Sequence, residues 1–316
     1  MTSSGAVILS DVHVNHKHQQ LDCIKPLSGY VTRFEYIIAD AEVQGDHVGS
    51  DVHTDVDGDY DVKRKKIVCK DCIIIEHSLG TELKYVGLQV WQAALLLCDF
   101  ILDNCNTFKG CCCLELGGGV GLASITLATL ADTVFCTDVG RQILETCQNN
   151  VERNCVNEKK CKPIVRELDW FKQQHQGSEK TGDLEIAGTS NRFYWKKHEL
   201  SILSRLDFII AADVIYDNTL TEAFFNKLFE VMCGSECLKA VYIATEKRLN
   251  FTLEDLDVTC KEYDFFRACM NELASKIAKE NTFKIEQIPI EFKQRFSYQR
   301  TKQLELWKIQ PVKVSA

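Results

Sequence analysis

The sequence predicts an α/β fold: a mainly parallel sheet of seven strands, helices on both faces, and an antiparallel hairpin at one edge. Three observations predict it. From Gly87 onward, short β-branched and aromatic runs alternate with helical periodicity, the pattern of parallel strands joined by covering helices. A glycine cluster, "LELGGGVGL" at Leu114–Leu122, stands where a buried strand hands over to a helix. The last two strand-like runs have no helix between them, so they must pair in opposite directions.

Bulk properties set the class. A chain of 316 residues, 45% hydrophobic and 26% charged, suits one large globular α/β domain, or such a domain with an extension. The start "MTSSGAVILSDVHVNH" lacks the basic end and long apolar core of a secretion signal. No segment approaches the roughly 20 apolar residues that span a bilayer. Gly at position 2 and a C-terminal prenylation box are missing too. Residence inside the cell, away from membranes, is expected. The sixteen cysteines then read as thiols packing like small hydrophobes. Cys111, Cys112 and Cys113 share an apolar run in which neighbours point to opposite faces. Cys69 and Cys72 form a C-x-x-C, but no second pair at zinc spacing follows, so no metal is assigned. A net charge of -8 argues against binding nucleic acid through its phosphates and suits a cationic partner.

Residues 1–86 read as a β-rich extension. "GAVILSDVHV", "YVTRFEYIIA", "KIVCKDCIII" and "ELKYVGL" concentrate β-branched and aromatic side chains. A polar loop near 41–66 separates the second from the third. Its "DVDGD" is similar to a calcium loop, but the register fails. With Gly58 at the sixth position, His53 is first and Arg64 twelfth, where Asp and Glu are needed. The basic run Lys63–Lys66 suits a solvated surface or a nuclear address.

Residues 87–316 form the main domain. "LQVWQAALLLCDFILDN" places Trp91, Ala94, Leu95, Cys98, Ile101 and Leu102 on one helical face. "CCCLEL" is a buried strand, followed by a helix over Val120–Ala131. "TVFCTD" is the second strand and Arg141–Asn154 its helix. "KPIVREL" is the third, with Pro163 at its start, where a missing N–H does least harm. Residues 172–200 are polar and read as an insertion. "LDFIIAADVIYD" is the fourth strand and its exit, then a helix over Leu220–Met232. Strand "LKAVYIAT", a helix over Glu262–Glu280, and strands "FKIEQIPI" and "KQLELWKI" complete the order.

In such sheets ligands bind at the carboxyl ends of the strands, near the point where strand order reverses. The turn of Gly117, Gly118 and Gly119 lies at such an end. A P-loop would need Gly-Lys-Ser/Thr; here Leu122 and Ala123 follow Gly121. A dinucleotide fingerprint would need a third glycine where Leu122 stands. That fingerprint also seats a pyrophosphate on a helix N-terminus, and Glu115, two residues before Gly117, would repel it. The pocket therefore favours a cofactor with cationic parts and no pyrophosphate. S-adenosylmethionine, with its ammonium and sulfonium, fits. Asp138 ends the second strand, in position to accept both ribose hydroxyls. Taken alone it would serve equally as N-cap of the helix from Arg141; beside the glycine turn the cofactor role is favoured.

The combination "GLQVWQAALLL…ELGGGVGL…TVFCTDV…ELDW…LDFIIAADVIYD" resembles the seven-β-strand protein lysine methyltransferases of the methyltransferase-like family, whose fold is Rossmann-like. The likeness runs from about Gly87 to the C-terminus and extends to the N-terminal β-segments. The glycine motif marks only a broad cofactor superfamily; Trp91, Leu168-Asp169-Trp170 and Asp213-x-x-Tyr216 are more specific. By this resemblance Trp91 lines the pocket near the methionine moiety and Gly117–Gly119 give it backbone contacts. Asp138 takes the ribose, Asp169 and Trp170 belong to the cofactor site with Trp170 packed on the adenine, and Ala212 forms the floor. Physical chemistry supports Trp170, because adenine seeks apolar or aromatic faces, although a core or edge tryptophan is the alternative. By periodicity alone Trp91 would read as core.

The resemblance implies an enzyme that transfers methyl groups from S-adenosylmethionine to a lysine of a protein substrate. It allows chaperones and nucleic-acid-associated proteins as substrates and implies nuclear as well as cytoplasmic residence; the chain is expected to act as a monomer. Lysine, with a pKa of about 10.4, has no lone pair until it loses a proton, so the amine must be aligned, desolvated and relieved of that proton. In the family, the motif matching Asp213 and Tyr216 borders the substrate lysine. Asp213 is expected at the rim to hold the incoming ammonium, and Tyr216 to orient it or contact it through its ring. A general-base role for Asp213 is disfavoured, since a carboxylate raises the pKa of a neighbouring ammonium. A turn-capping aromatic is the alternative for Tyr216. Methyl transfer to a small molecule, arginine or nucleic acid, or cofactor binding without turnover, are the competing functions. Against nucleic acid stand the acidic charge and Ala-Asp-Val-Ile-Tyr at 212–216, where N-P-P-Y or D-P-P-Y would be expected.

Overall fold

A computed structural model describes residues 7–10, 12, 29–42, 66–156, 161–172, 192–248, 250–252, 257–276 and 281–313. The loop expectations at 43–65, "DVDGD" and Lys63–Lys65 included, and the insertion at 173–191 lie outside the described residues.

The chain begins with strands β1 (Ile8–Leu9), β2 (Tyr30–Glu42), β3 (Lys66–His77) and β4 (Gly80–Thr81). β2 and β3 form one long antiparallel hairpin with a bulge between Ile37 and Ala39, and the short β1 pairs with β4. "ELKYVGL" is not a strand. Leu83–Leu88 is a 3₁₀ turn, because its local i→i+3 bonds, Tyr85 N to Glu82 O and Gln89 N to Val86 O, satisfy a backbone that has no neighbouring strand.

Helices α1 (Gln92–Asp103) and α2 (Cys105–Phe108) lead to β5 (Cys112–Leu116), α3 (Leu122–Leu127), β6 (Thr133–Asp138), α4 (Arg141–Asn154) and β7 (Ile164–Glu167). Then come α5 (Lys197–Leu203), β8 (Phe208–Ala212), α6 (Asn218–Gly234), β9 (Ala240–Glu246), the small pair β10 (Asn250–Thr252) and β11 (Asp257–Thr259), α7 (Lys261–Ser275), β12 (Asn281–Ile288) and β13 (Leu304–Lys313). The main sheet has the order β12-β13-β9-β8-β5-β6-β7. Its five strands from β9 to β7 are parallel, and β13 runs antiparallel to both β9 and β12. All seven expected strands and the terminal hairpin are present. The order reverses between β5 and β8, which opens a crevice there.

The period-2 alternation of the strands divides the core. Cys113, Val134, Cys136, Phe208, Ile210 and Tyr242 pack on one face with α1, α3 and the β2–β3 hairpin. Leu114, Phe135, Ile209, Val241, Ile243 and Trp307 pack on the other with α6 and α7. Cys112 packs toward the second face and Cys113 toward the first, as neighbours in one strand must. The fifteen described cysteines are free thiols.

Three helix expectations change. Trp91 precedes α1 as its N-cap residue instead of lying on its face, and α1 is buried on more than one side, since Ala93, Leu96, Leu97 and Phe100 are interior as well. Over Leu83–Asp103 the chain is long and apolar enough to cross a membrane, contrary to expectation, but most of this stretch is buried, as in the core helix of a soluble protein. The helix after the glycines stops at Leu127, where the chain turns back toward β6, and α7 stops at Ser275 with Lys276 extended; residues 277–280 of the expected helix lie outside the described residues. From residue 192 onward the expected polar insertion is ordered and partly apolar. Phe193 O accepts from Glu167 N, Trp195 Nε1 donates to Glu167 O, and Arg166 on β7 pairs with Glu199 on α5 in the interior.

The N-terminal hairpin shares the main core. Phe34, Tyr36, Ile73 and Ile75 belong to the same buried cluster as α1 and α3. Two asparagines one turn apart on α4 fasten it. Asn150 accepts from Glu76 N (2.7 Å) and donates to Glu76 O (2.9 Å); Asn154 does the same with Ile74 (2.8 and 2.8 Å). Their amides thus pair with β3 as a neighbouring strand would.

Candidate cofactor site

The cleft lies at the carboxyl ends of β5, β6 and β8, at the reversal of strand order. Every residue singled out from the sequence as catalytic or cofactor-binding lines it.

The glycine turn follows β5. Gly118 N donates to Thr137 O (2.9 Å) and Gly121 N to Gly118 O (2.8 Å). A Cβ at Gly118 would meet Cys136 Sγ at 2.5 Å, and one at Gly119 would meet Gly87 O at 2.7 Å. Gly119 also has φ +53°, a region side chains rarely adopt. Part of the glycine requirement is therefore internal packing, in addition to any ligand.

Glu115 points from β5 toward α3 and is 2% exposed. Its Oε2 accepts from Ser124 N (3.0 Å) and from the Ser124 hydroxyl. Since α3 has no capping side chain of its own at Gly121, Glu115 supplies the cap from beneath the turn. Burial raises its pKa to about 7 against the hydrogen bonds from Ser124.

Asp138 ends β6. Its Oδ2 accepts from Gly119 N (2.8 Å) and its Oδ1 from Val139 N (2.7 Å). The N-cap of α4 is Gly140, so Asp138 is not that cap. Each carboxylate oxygen keeps acceptor capacity for a hydroxyl pair. Burial raises its pKa while the two N–H groups oppose that shift.

Trp170 stands edge-on to Phe224, ring centroids 5.3 Å apart, and its ring edge comes within 3.3 Å of where a Gly117 Cβ would be. Its Nε1 is buried with no hydrogen-bond partner among the described residues. Asp169 turns outward, accepting from Phe171 N (3.0 Å) and pairing with Lys172 (3.0 Å). Trp91 donates from Nε1 to Val86 O (3.1 Å), and the Arg248 guanidinium lies 4.5 Å over its ring.

Ala212 ends β8 and Asp213 follows at φ 54°, the non-glycine residue with positive φ among those described. Its carboxylate is not at the rim but buried. Oδ2 accepts from Ala93 N (3.0 Å), capping α1 where Trp91 offers no cap, and Oδ1 accepts from Glu246 N (3.2 Å). Arg248 Nη2 is 3.9 Å from Oδ1. Tyr216 is half-buried, and burial together with the charges of Asp138 and Asp217 raises its pKa to about 12. It does not cap the following turn; Asp217 caps α6 by accepting from Leu220 N (2.8 Å).

Sequence reasoning missed the Val86–Gly87 turn, which holds Trp91 and abuts Gly119, and it missed Arg248. Gly87 was a readable signal for the first; nothing local marked the second. Among the described residues no group of three or more His, Cys, Asp or Glu could hold a metal ion.

The residues fit S-adenosylmethionine. Trp170 brings an orphaned indole N–H and an aromatic edge, Asp138 brings spare acceptors, and the turn brings close backbone. Fold and site together define a Rossmann-like domain built for S-adenosylmethionine, the methyl donor of methyltransferases.

Residues 70–190 match a family model described as lysine methyltransferase, a stretch that includes the glycine turn, Asp138 and Trp170. The chain is 43% identical over 242 residues to human "Methyltransferase-like protein 22", covering 76% of this chain and 57% of that protein. With the mouse protein of the same name it is 42% identical over 245 residues, 76% of this chain and 60% of that one. With mouse "Protein N-lysine methyltransferase METTL21A" it is 30% identical over 167 residues, covering 52% and 65%. By these matches the chain is similar to lysine methyltransferases, and it spans under two thirds of the length of these relatives.

Proposed function

We propose that the chain is a protein N-lysine methyltransferase that transfers methyl groups from S-adenosylmethionine to a lysine side chain of a protein, and that it works in the nucleus and cytoplasm. The observation that carries this reading is the family match over residues 70–190, which spans the glycine turn, Asp138 and Trp170 of one cleft. A relative named as a protein N-lysine methyltransferase supports lysine as the acceptor. The net charge of -8 is compatible with a basic polypeptide such as a nucleic-acid-associated protein, and a chaperone is the other substrate class considered.

When bound, S-adenosylmethionine supplies a methyl carbon activated by its sulfonium. Asp138 accepts the ribose hydroxyls with oxygens already oriented by Gly119 and Val139. Trp170 would give the adenine an aromatic edge and a free N–H. Asp213 holds α1, and with it Trp91, against the end of β8. Tyr216 remains protonated across the physiological range and orients the acceptor amine, whose proton leaves to water.

The test is incubation of the purified chain with methyl-labelled donor and cell lysate. Label in protein, recovered as methyl-lysine after hydrolysis, is expected. Label confined to RNA, arginine or small molecules, or donor binding with no label, would overturn the reading.

A further inference from the structure

The segment after β9 carries a cation that the chemistry above leaves unused. Arg248 places its guanidinium carbon 4.5 Å from the centre of the Trp91 ring and Nη2 3.9 Å from Asp213 Oδ1. The backbone leading to and including Arg248 is pinned at three successive residues. Glu246 N donates to Asp213 Oδ1 (3.2 Å), Lys247 N to Gln303 O (2.8 Å), and Cys260 Sγ to the Arg248 carbonyl oxygen (2.9 Å). Its partly exposed guanidinium bridges a cleft-lining carboxylate and a cleft-lining aromatic.

We propose that Arg248 is a positioning residue for the methyl acceptor: it offsets the charge of Asp213 beside the cleft, so that the acceptor lysine is taken as the neutral amine. The inference rests on the lysine methyltransferase reading. Asp213 alone would favour an ammonium, which has no lone pair, and would oppose transfer. In the step itself the amine nitrogen forms a bond to the methyl carbon, the carbon–sulfur bond breaks, the sulfonium becomes a thioether, and the amine proton passes to water.

Other charges around the cleft are already engaged. Asp138 is held by Gly119 and Val139 N–H groups, Glu115 by Ser124, and Asp217 by the start of α6. Lys84 pairs with Glu82, Lys247 lies over Tyr263, and Glu246 accepts from Thr301 (3.4 Å). Tyr216 carries no charge near neutrality. Among the described residues this leaves Arg248 as the cation within ion-pair reach of Asp213.

The test compares Arg248→Gln and Arg248→Lys with the parent chain. The rate of label transfer into lysate-protein lysine is followed from about pH 6.5 to 10, with donor affinity measured by calorimetry. Expected for Arg248→Gln is an acid limb displaced upward by about one pH unit, hence about tenfold slower transfer near pH 7 and recovery near pH 10. Donor affinity should be retained, and Arg248→Lys should restore the parental limb. A uniform loss of rate at every pH, or loss of donor affinity in step with rate, overturns the proposal. Carbon-13 NMR of the Asp213 carboxyl is read in parallel. An unmoved titration in Arg248→Gln overturns the Arg248 assignment whatever the enzyme labels. A displaced titration with no methyl-lysine from the parent chain instead overturns the lysine reading and leaves the pairing standing.

Discussion

Replacing Gly119 by alanine should cost this protein both stability and donor binding, and the structure sets the size of each effect. At φ +53° an added Cβ costs about 1–2 kcal/mol for its left-handed conformation alone. The same atom would stand 2.7 Å from Gly87 O, and because that is backbone, the whole Val86–Gly87 turn must retreat. Overpacking of this kind adds about 1–3 kcal/mol. Gly110→Ala is the matched control: φ is +71°, but its Cβ would meet nothing closer than Asp132 at 3.7 Å, so only the conformational cost applies. Urea unfolding of both variants should place Gly119→Ala below Gly110→Ala by about 1–3 kcal/mol. Calorimetric titration with S-adenosylmethionine should show binding weakened at least about tenfold in Gly119→Ala and unchanged in Gly110→Ala, because the Gly119 N–H that orients Asp138 moves with the turn. Equal stability and equal binding in the two variants would refute the reasoning.

Three further outcomes follow from the same site. Asp138→Ala should weaken donor binding by about a hundredfold, the loss of two hydrogen bonds to a charged acceptor; unchanged affinity by calorimetry would remove Asp138 from the ribose site. Tyr216→Phe should slow turnover about tenfold or more while donor affinity survives, and parallel loss of both would point to misfolding. Glu115 binds its proton more tightly folded than unfolded, with a pKa near 7 against an ordinary 4.5. Its contribution to stability is therefore full below about pH 4.5 and declines as pH rises to about 7, by up to about 3 kcal/mol. Glu115→Gln should flatten that decline relative to the parent in urea midpoints across the window, and an unaltered slope would contradict it.

Much of the fold was legible because parallel strands buried on both faces must be largely apolar runs, as β5, β6, β8 and β9 are. The bounds of α4 were readable for a similar reason: a clear start after Gly140 and a polar finish at Asn154. "ELKYVGL" misled because β-branched and aromatic composition describes a partly buried surface, not a backbone with a pairing partner. The site was legible wherever its residues follow strand ends in sequence, as do the glycines, Asp138, Trp170 and Asp213. What escaped were roles set by partners far along the chain. Asp213 caps a helix whose Ala93 lies 120 residues earlier, and the carboxylate expected to meet substrate is already committed to backbone. Arg248 has meaning only beside Trp91 and Asp213, and no local pattern encodes that meeting.

The side-chain amide of Asn150 makes four hydrogen bonds, one of them accepted from Arg153 Nη1 (3.0 Å). Beyond its two bonds to Glu76 in the hairpin, its Nδ2 also reaches Val120 O (3.0 Å), the carbonyl just past the glycine turn. The first strands are thus riveted to the glycine turn of the cleft. A protein trimmed to begin at Gly87 would keep every motif of the cleft and still lose the Glu76 backbone groups that steady Asn150 under that carbonyl.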